Sequence, residues 1–142
     1  RHMMLCCEFG IMLVPQLLYK QHEFGIDVAP EEATRTATRI VEDKQGLEAG
    51  PCVQLQPEGV RFSVPVTVVL PICSSARKVL RVQGDDAQDL EEEHVRFCQG
   101  FAIMTLYHFC SLLPYADPEQ VLTLMTRVVV RSEAARCKVV WR

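Results

Sequence analysis

Apolar and polar positions change period several times along this chain, and each change suggests an element. Met3 to Val14 is a run of Leu, Cys, Ile, Phe and Val interrupted by Gly10, and it reads as a strand or two. Pro15 suits the opening of a short helix through Gln16-Leu17-Leu18-Tyr19-Lys20. Glu-Phe-Gly-Ile occurs at 8–11 and again at 23–26, but two four-residue copies without longer similarity do not make a structural repeat. Over 30–45, Ala33, Ala37, Ile40, Val41 and Lys44 lie along one side, while Arg35, Thr36, Arg39, Glu42 and Asp43 vary on the others. Proline at the start, acids in the first turn and Gly46 at the end predict a surface helix that covers one face of a sheet.

From Gly50 to Gly84 the period falls to two. Cys52 to Gln56, Val60 to Val64, Val66 to Leu70 and Lys78 to Gln83 alternate or are strongly β-forming. Turn residues Pro57-Glu58-Gly59, Pro65 and Pro71 punctuate them. Three or four antiparallel strands follow from this. Pro65 cannot donate a ladder hydrogen bond, so it marks an edge, a bulge or a bend.

The stretch from 88 to 113 is read as one long helix that Pro114 stops. Phe97, Phe101, Met104, His108 and Ser111 fall in one row, and Cys98, Ala102, Leu106, Phe109 and Leu113 in another. Such a helix is apolar nearly all round and has to be buried all round. Either the N-terminal segment crosses it or a partner chain does. Phe97, Phe101, Met104, Tyr107, Phe109 and Leu112 are the candidate interface residues on this reading. Gly100 points to a close backbone approach. The uncharged part, 97–113, would span roughly 25 Å as a helix, short of a bilayer's hydrocarbon core. After Pro114, Asp117-Pro118-Glu119 opens a short helix at 118–126. Val128-Val129-Val130 and Cys137 to Trp141 read as strands, with a helix continuing to Ala135 as the alternative.

The expected fold is therefore a single α+β domain over 1–142. An antiparallel sheet of three to five strands packs against a long, nearly all-apolar helix, with two or three shorter helices. Composition agrees with a folded domain: 142 residues, 49% hydrophobic and 23% charged, exclude a disordered chain. The formal charge of −3 excludes a strongly basic nucleic-acid footprint. Its distribution is uneven, with an acidic run from Asp85 to Glu93, read as the solvated first turn of the long helix. Arg127, Arg131, Arg136, Lys138 and Arg142 make the end of the chain basic. The seven cysteines are odd in number and form no C-x-x-C pair, which suits free thiols in a reducing compartment, cytoplasm or nucleus. No signal peptide is evident. Arg1-His2-Met3 is consistent with a cloning remnant, and the chain with a piece of a longer protein.

The chemistry-bearing residues form no strong signature. On a helix His94 and Cys98, four apart, would share a face, and a cysteine-dependent enzyme using Cys98 with His94 or His108 is the alternative reading. Zinc would need two further ligands, and adjacent Cys6-Cys7 are not spaced to chelate. No phosphate-binding glycine loop, G-x-S-x-G turn or calcium loop occurs in the sequence. Neither a cofactor nor a metal is expected. Gly59 to Pro71, G-V-R-F-S-V-P-V-T-V-V-L-P, is similar to a strand pair in the β-sandwich modules of ankyrins and netrin receptors. That likeness covers about a tenth of the chain with residues any β hairpin uses, and no membership is drawn from it. The expected function is a noncatalytic protein-interaction domain, an adaptor or subunit of an intracellular assembly. Its partner is another protein chain or a second copy, bound through 97–113 or a sheet edge.

Overall fold

Period-two alternation governs far more of the chain than the reading above assigns to it. The computed structural model describes residues 1–73 and 75–118. Its first sheet contains β1 (His2–Cys7), β2 (Gly10–Pro15), β6 (Arg61–Pro71), β9 (Val95–Cys98) and β10 (Phe101–His108), in the order β1-β2-β6-β10-β9. The second contains β3 (Gly25–Val28), β5 (Val53–Gln56), β7 (Lys78–Gln83), β8 (Asp86–Asp89) and β11 (Ser111–Ala116), in the order β3-β5-β11-β7-β8. A short β4 (Leu47–Glu48) pairs with β11 through Tyr115 and Ala116. All pairings are antiparallel.

The long apolar helix is absent, and the α+β expectation gives way to a mostly β fold of two sheets. Residues 88–113 are instead the end of β8, a 3-10 turn at Glu92–His94, β9, β10 and the start of β11. Gln99 and Gly100 make the two-residue turn between β9 and β10, and Cys98 pairs with Phe101 across it. Gly100 has φ +85°, a conformation that favours glycine. From Phe101 to Leu106 burial alternates strictly, with Ala102, Met104 and Leu106 facing inward. Ile, Thr, Phe, Tyr, His and Cys are also middling helix formers, and the branched and aromatic ones suit a pleated surface.

The two sheets pack face to face. Met12, Val14, Val66, Val68, Leu70, Ala102, Met104 and Leu106 from the first sheet meet Val53, Leu55, Val79 and Leu112 from the second. A second apolar layer lies on the other side of the second sheet. There α2 (Glu31–Asp43) packs Ala37 and Val41 against Cys52, Leu80, Val82, Leu113 and Tyr115. Strand β11 is thus buried on both faces, and all six of its residues are buried. This is why its sequence shows no alternation. Fully burying one such side chain is worth about 1.5–3 kcal/mol.

Other expectations hold. The helix expected at 30–45 is α2, and Pro15 leads into the short α1 (Gln16–Tyr19). α2 closes on Gln45 at φ +57°, with Gln45 N–H donating to Glu42 O and Gly46 N–H to Val41 O, both at 2.8 Å. These are the paired bonds of a Schellman cap, with glutamine where glycine is usual. Gly46 follows because an added Cβ would press on the Tyr115 ring and the Ala116 carbonyl, at 3.0 and 3.1 Å. Gly10 marks the closest backbone approach, since a Cβ there would run into the Val69 carbonyl. The two strands expected either side of Pro65 are one strand, β6. Its register with β10 shifts between Leu106/Val66 and His108/Arg61, the stretch that holds Pro65. Beyond Pro118, the expected helix at 118–126 and strands at 128–130 and 137–141 lie outside the described residues.

The acidic run does not open a long helix; only its end, Glu92–His94, forms a single 3-10 turn. Asp85 sits in the turn after Gly84, and Asp89 closes a polar cluster at the C-terminal end of α2. Tyr115 Oη donates to Asp89 Oδ1 at 2.5 Å, and Lys44 Nζ donates to Asp89 Oδ2 and to Tyr115 Oη, both at 3.3 Å. Burial and the neighbouring Asp89 push the Tyr115 hydroxyl well above its ordinary pKa. The phenol stays a donor, and the cluster ties α2 to the second sheet.

Candidate interaction surface

The described residues leave one sheet face uncovered. The second sheet has the first sheet on one side and α2 on the other. Among the described residues, no helix or strand is layered over the outer face of the first sheet. Strand parity decides which side chains stand there, since residues that alternate with the core ones point outward. Cross-strand registers then line them up in rows. One row runs Cys6, Ile11, Val69, Ile103, Arg96. The next runs Met4, Leu13, Thr67, Thr105, and a third joins Pro71, Phe101 and Cys98.

Chemically this face is close to neutral. Arg96 carries the one formal charge in these rows, at the β9 edge. Ile11, Leu13, Val69 and Ile103 are half-buried by their own neighbours, while Met4 is 64% and Phe101 48% exposed. Tyr107, next after Thr105 on the outward side of β10, is 45% exposed. A contiguous apolar surface of this kind on a folded domain marks a site of association.

The six residues expected to form an interface are divided by this geometry. Phe101 and Tyr107 are exposed on the outer face. Met104 and Leu112 are fully enclosed between the sheets, and Phe97 is half-buried against the same core. Phe109 is enclosed in an aromatic cluster with Phe24 and Phe62, at ring separations of 5.9 and 5.1 Å. Those four stabilise the fold rather than meet a partner. The reason is the change of period. A helix would have placed Phe101 and Met104 on the same side, whereas a strand sends residues three apart to opposite faces. Ile11, Leu13, Val69 and Ile103 escape sequence reasoning because their exposure depends on which sheet receives the helix.

Cys98 and the two histidines are not brought together. His94 and Cys98 are four residues apart along extended chain, roughly 13 Å, rather than one helical turn. His108 lies at the far end of β10, on the order of 20 Å from Cys98. There Arg81 Nη1 donates to His108 Nε2 at 3.3 Å, which requires a neutral imidazole. Desolvation, then the charges of Arg81 and Arg61, lower the His108 pKa. His94 instead faces Glu93 and Glu91, at 3.5 and 3.8 Å. Ligand atoms of these three residues lie within 4.8 Å of one another, on an exposed turn. All six described cysteines are free. Burial pushes the Cys110 thiol up to about 12 and raises that of Cys52. Cys6, Cys7, Cys73 and Cys98 are exposed.

One buried polar pair was not foreseen. Ser111 Oγ donates to Gln54 Oε1 at 2.7 Å, and Gln54 Nε2 donates to the Leu55 carbonyl at 3.0 Å. Both residues are buried, and they are register partners across β5 and β11. Alternation alone marks Gln54 as an outward residue of β5, and only the covering of that face buries it.

No protein-family model matches this sequence, and no curated protein matches it at a significant level. Among the described residues, no helix is long and apolar enough to cross a membrane.

Proposed function

We propose that this chain is a noncatalytic protein-interaction domain, a subunit or adaptor in an assembly of the cytoplasm or nucleus. The observation that carries the reading is the nearly uncharged outer face of the first sheet, which none of the described residues covers. It replaces the helical surface expected over 97–113 and keeps Phe101 and Tyr107 as contact residues. Ile103 and Val69 stand at its centre, where well-packed side chains contribute most to binding, and Arg96 and Thr105 stand toward its rim. The free thiols support a reducing compartment.

A photo-cross-linking side chain at position 101, introduced in cells, tests the reading. It should join the domain to a protein chain, and Ile103→Glu should remove that product while leaving the circular-dichroism spectrum of the purified domain unchanged. Absence of any protein product from position 101, or a product indifferent to Ile103→Glu, would refute it.

A further inference from the structure

Unequal strand lengths leave a notch at one end of the first sheet. β9 pairs with β10 only between Phe101 and Met104, and the chain leaves the sheet at His94. Residues 105–108 of β10 therefore have no strand beside them on that side, among the described residues. A cavity of about 150 Å³ lies there, with Arg81, Glu91, His94, Thr105, Tyr107 and His108 in its lining. A volume of that order holds one group about the size of a benzene ring, hence one sulfate or phosphate group.

Arg81 is a charge turned toward the core. On β7, Leu80 and Val82 face α2, so Val79 and Arg81 point between the sheets. The half-buried guanidinium donates to His108 Nε2, a neutral partner. Among the described residues, no carboxylate lies within 4 Å of it. Most of its five donors and its charge thus go without a counterpart, a costly state for a cation partly out of water. Arg61, the register partner of His108, brings a second positive charge to the same end, and both arginines act on the His108 ring. The acids nearby stand on the outside. Glu91 and Glu93 are exposed and face His94, at 3.8 and 3.5 Å, and the exposed Glu58 acts on Cys110. The inner wall is basic, and the rim carries the carboxylates.

We infer that this notch is a binding site for a small dianionic oxyanion, a sulfate or phosphate group, held by the Arg81 guanidinium with His108 as a second donor. The planar fork of arginine matches two oxygens of such a group. His108 Nε2 accepts from Arg81 in the free protein, so it has to take up a proton before it can donate to the ion. The bound dianion favours that proton by offsetting the two arginines. Thr105 and Tyr107 add hydroxyl donors to the same lining.

Nuclear magnetic resonance of the isotope-labelled chain, titrated with sodium sulfate against sodium chloride at equal ionic strength, tests this. Signals of Arg81, Thr105, Tyr107 and His108 should shift and saturate with a Kd on the order of 1 mM in sulfate and not in chloride. Arg81→Met should weaken sulfate by about tenfold or more. Should that variant fail to fold, Arg81→Lys keeps the charge but loses the fork, and should still weaken sulfate by about threefold or more. Glu91→Gln removes a like charge from the rim and should tighten sulfate, whereas it would weaken a cation. Sulfate keeps its charge between about pH 8 and pH 6, so its affinity should rise by about threefold or more as His108 takes its proton, and His108→Gln should remove most of that rise. Inorganic phosphate and O-phosphoserine are the further probes, and the tighter one tells a free ion from a phosphate monoester. No saturable shift by about 50 mM sulfate overturns the inference. Binding indifferent to both Arg81 variants, or weakened by Glu91→Gln, also overturns it. An affinity that does not change with pH overturns the part given to His108.

Discussion

Truncating Met104 and Phe101 separately tests the strand assignment of 97–113 most directly. Both are large apolar residues three positions apart, and a helix would place them in one row. In β10 they stand on opposite faces: Met104 is fully enclosed between the sheets, and Phe101 is 48% exposed. Met104→Ala removes a thioether arm from a packed layer that includes Val68 and Leu112, and leaves a cavity that the sheets cannot close. Buried methionine truncations of this kind cost about 2–5 kcal/mol. A value near 3 kcal/mol in a domain of this size lowers Tm by about 6–12 °C. Phe101→Ala removes a ring already half in water, and should cost about 1 kcal/mol or less. Ile103→Ala, half-buried on the outer face, should fall between the two. Thermal and urea unfolding at about 1 µM protein, dilute enough to limit association, measure all three. Equal losses for Phe101→Ala and Met104→Ala, or a smaller loss for Met104→Ala, would refute the inward–outward assignment of β10.

Gln45→Gly should stabilise the domain by up to about 1 kcal/mol in urea unfolding, because glycine adopts the left-handed cap conformation at lower cost. Ser111→Ala should cost about 1–3 kcal/mol by leaving Gln54 Oε1 buried without its donor, and adding Gln54→Met should recover part of that loss in a double-mutant cycle. Timed alkylation at pH 8 with mass-spectrometric readout should label Cys6, Cys7, Cys73 and Cys98 rapidly and Cys52 and Cys110 only on unfolding; early labelling of Cys110 would contradict its burial. The lowered pKa of His108 means that the unfolded chain binds a proton more readily than the native one as pH falls below about 6.5. Stability should therefore drop from about pH 6.5 down toward the folded-state pKa, and His108→Gln should flatten that part of the pH profile.

Several elements could be read directly because their pattern is local. α2 carries its own apolar stripe, its first-turn acids and a proline start, so no neighbour is needed to recognise it. β5, β6 and β7 alternate or are bounded by proline and glycine, and Pro65 announces the register shift that β6 makes against β10. The Gln99-Gly100 turn was present in the sequence too, but a surrounding apolar run masks it. Its flanks show the right period: Val95 and Phe97 point inward while Arg96 and Cys98 point outward, and Ala102, Met104 and Leu106 follow suit across the turn. For the candidate site, the sequence singled out Phe101 and Tyr107 with four core residues, since hydrophobicity alone cannot say which side of a strand is wet.

The sequence by itself determined that this chain buries a large apolar core, where the amphipathic helix α2 lies, and that 50–84 is largely strand. Only the tertiary structure decided what the apolar run before Pro114 becomes. A strand enclosed between a second sheet and a helix has no polar side, so β11 loses the alternation that would identify it, and its residues imitate a buried helix. Tertiary packing also decided which face stays open. α2 can cover one sheet only, and among the described residues its place on the second leaves Ile11, Val69, Phe101 and Ile103 on the outer side of the first.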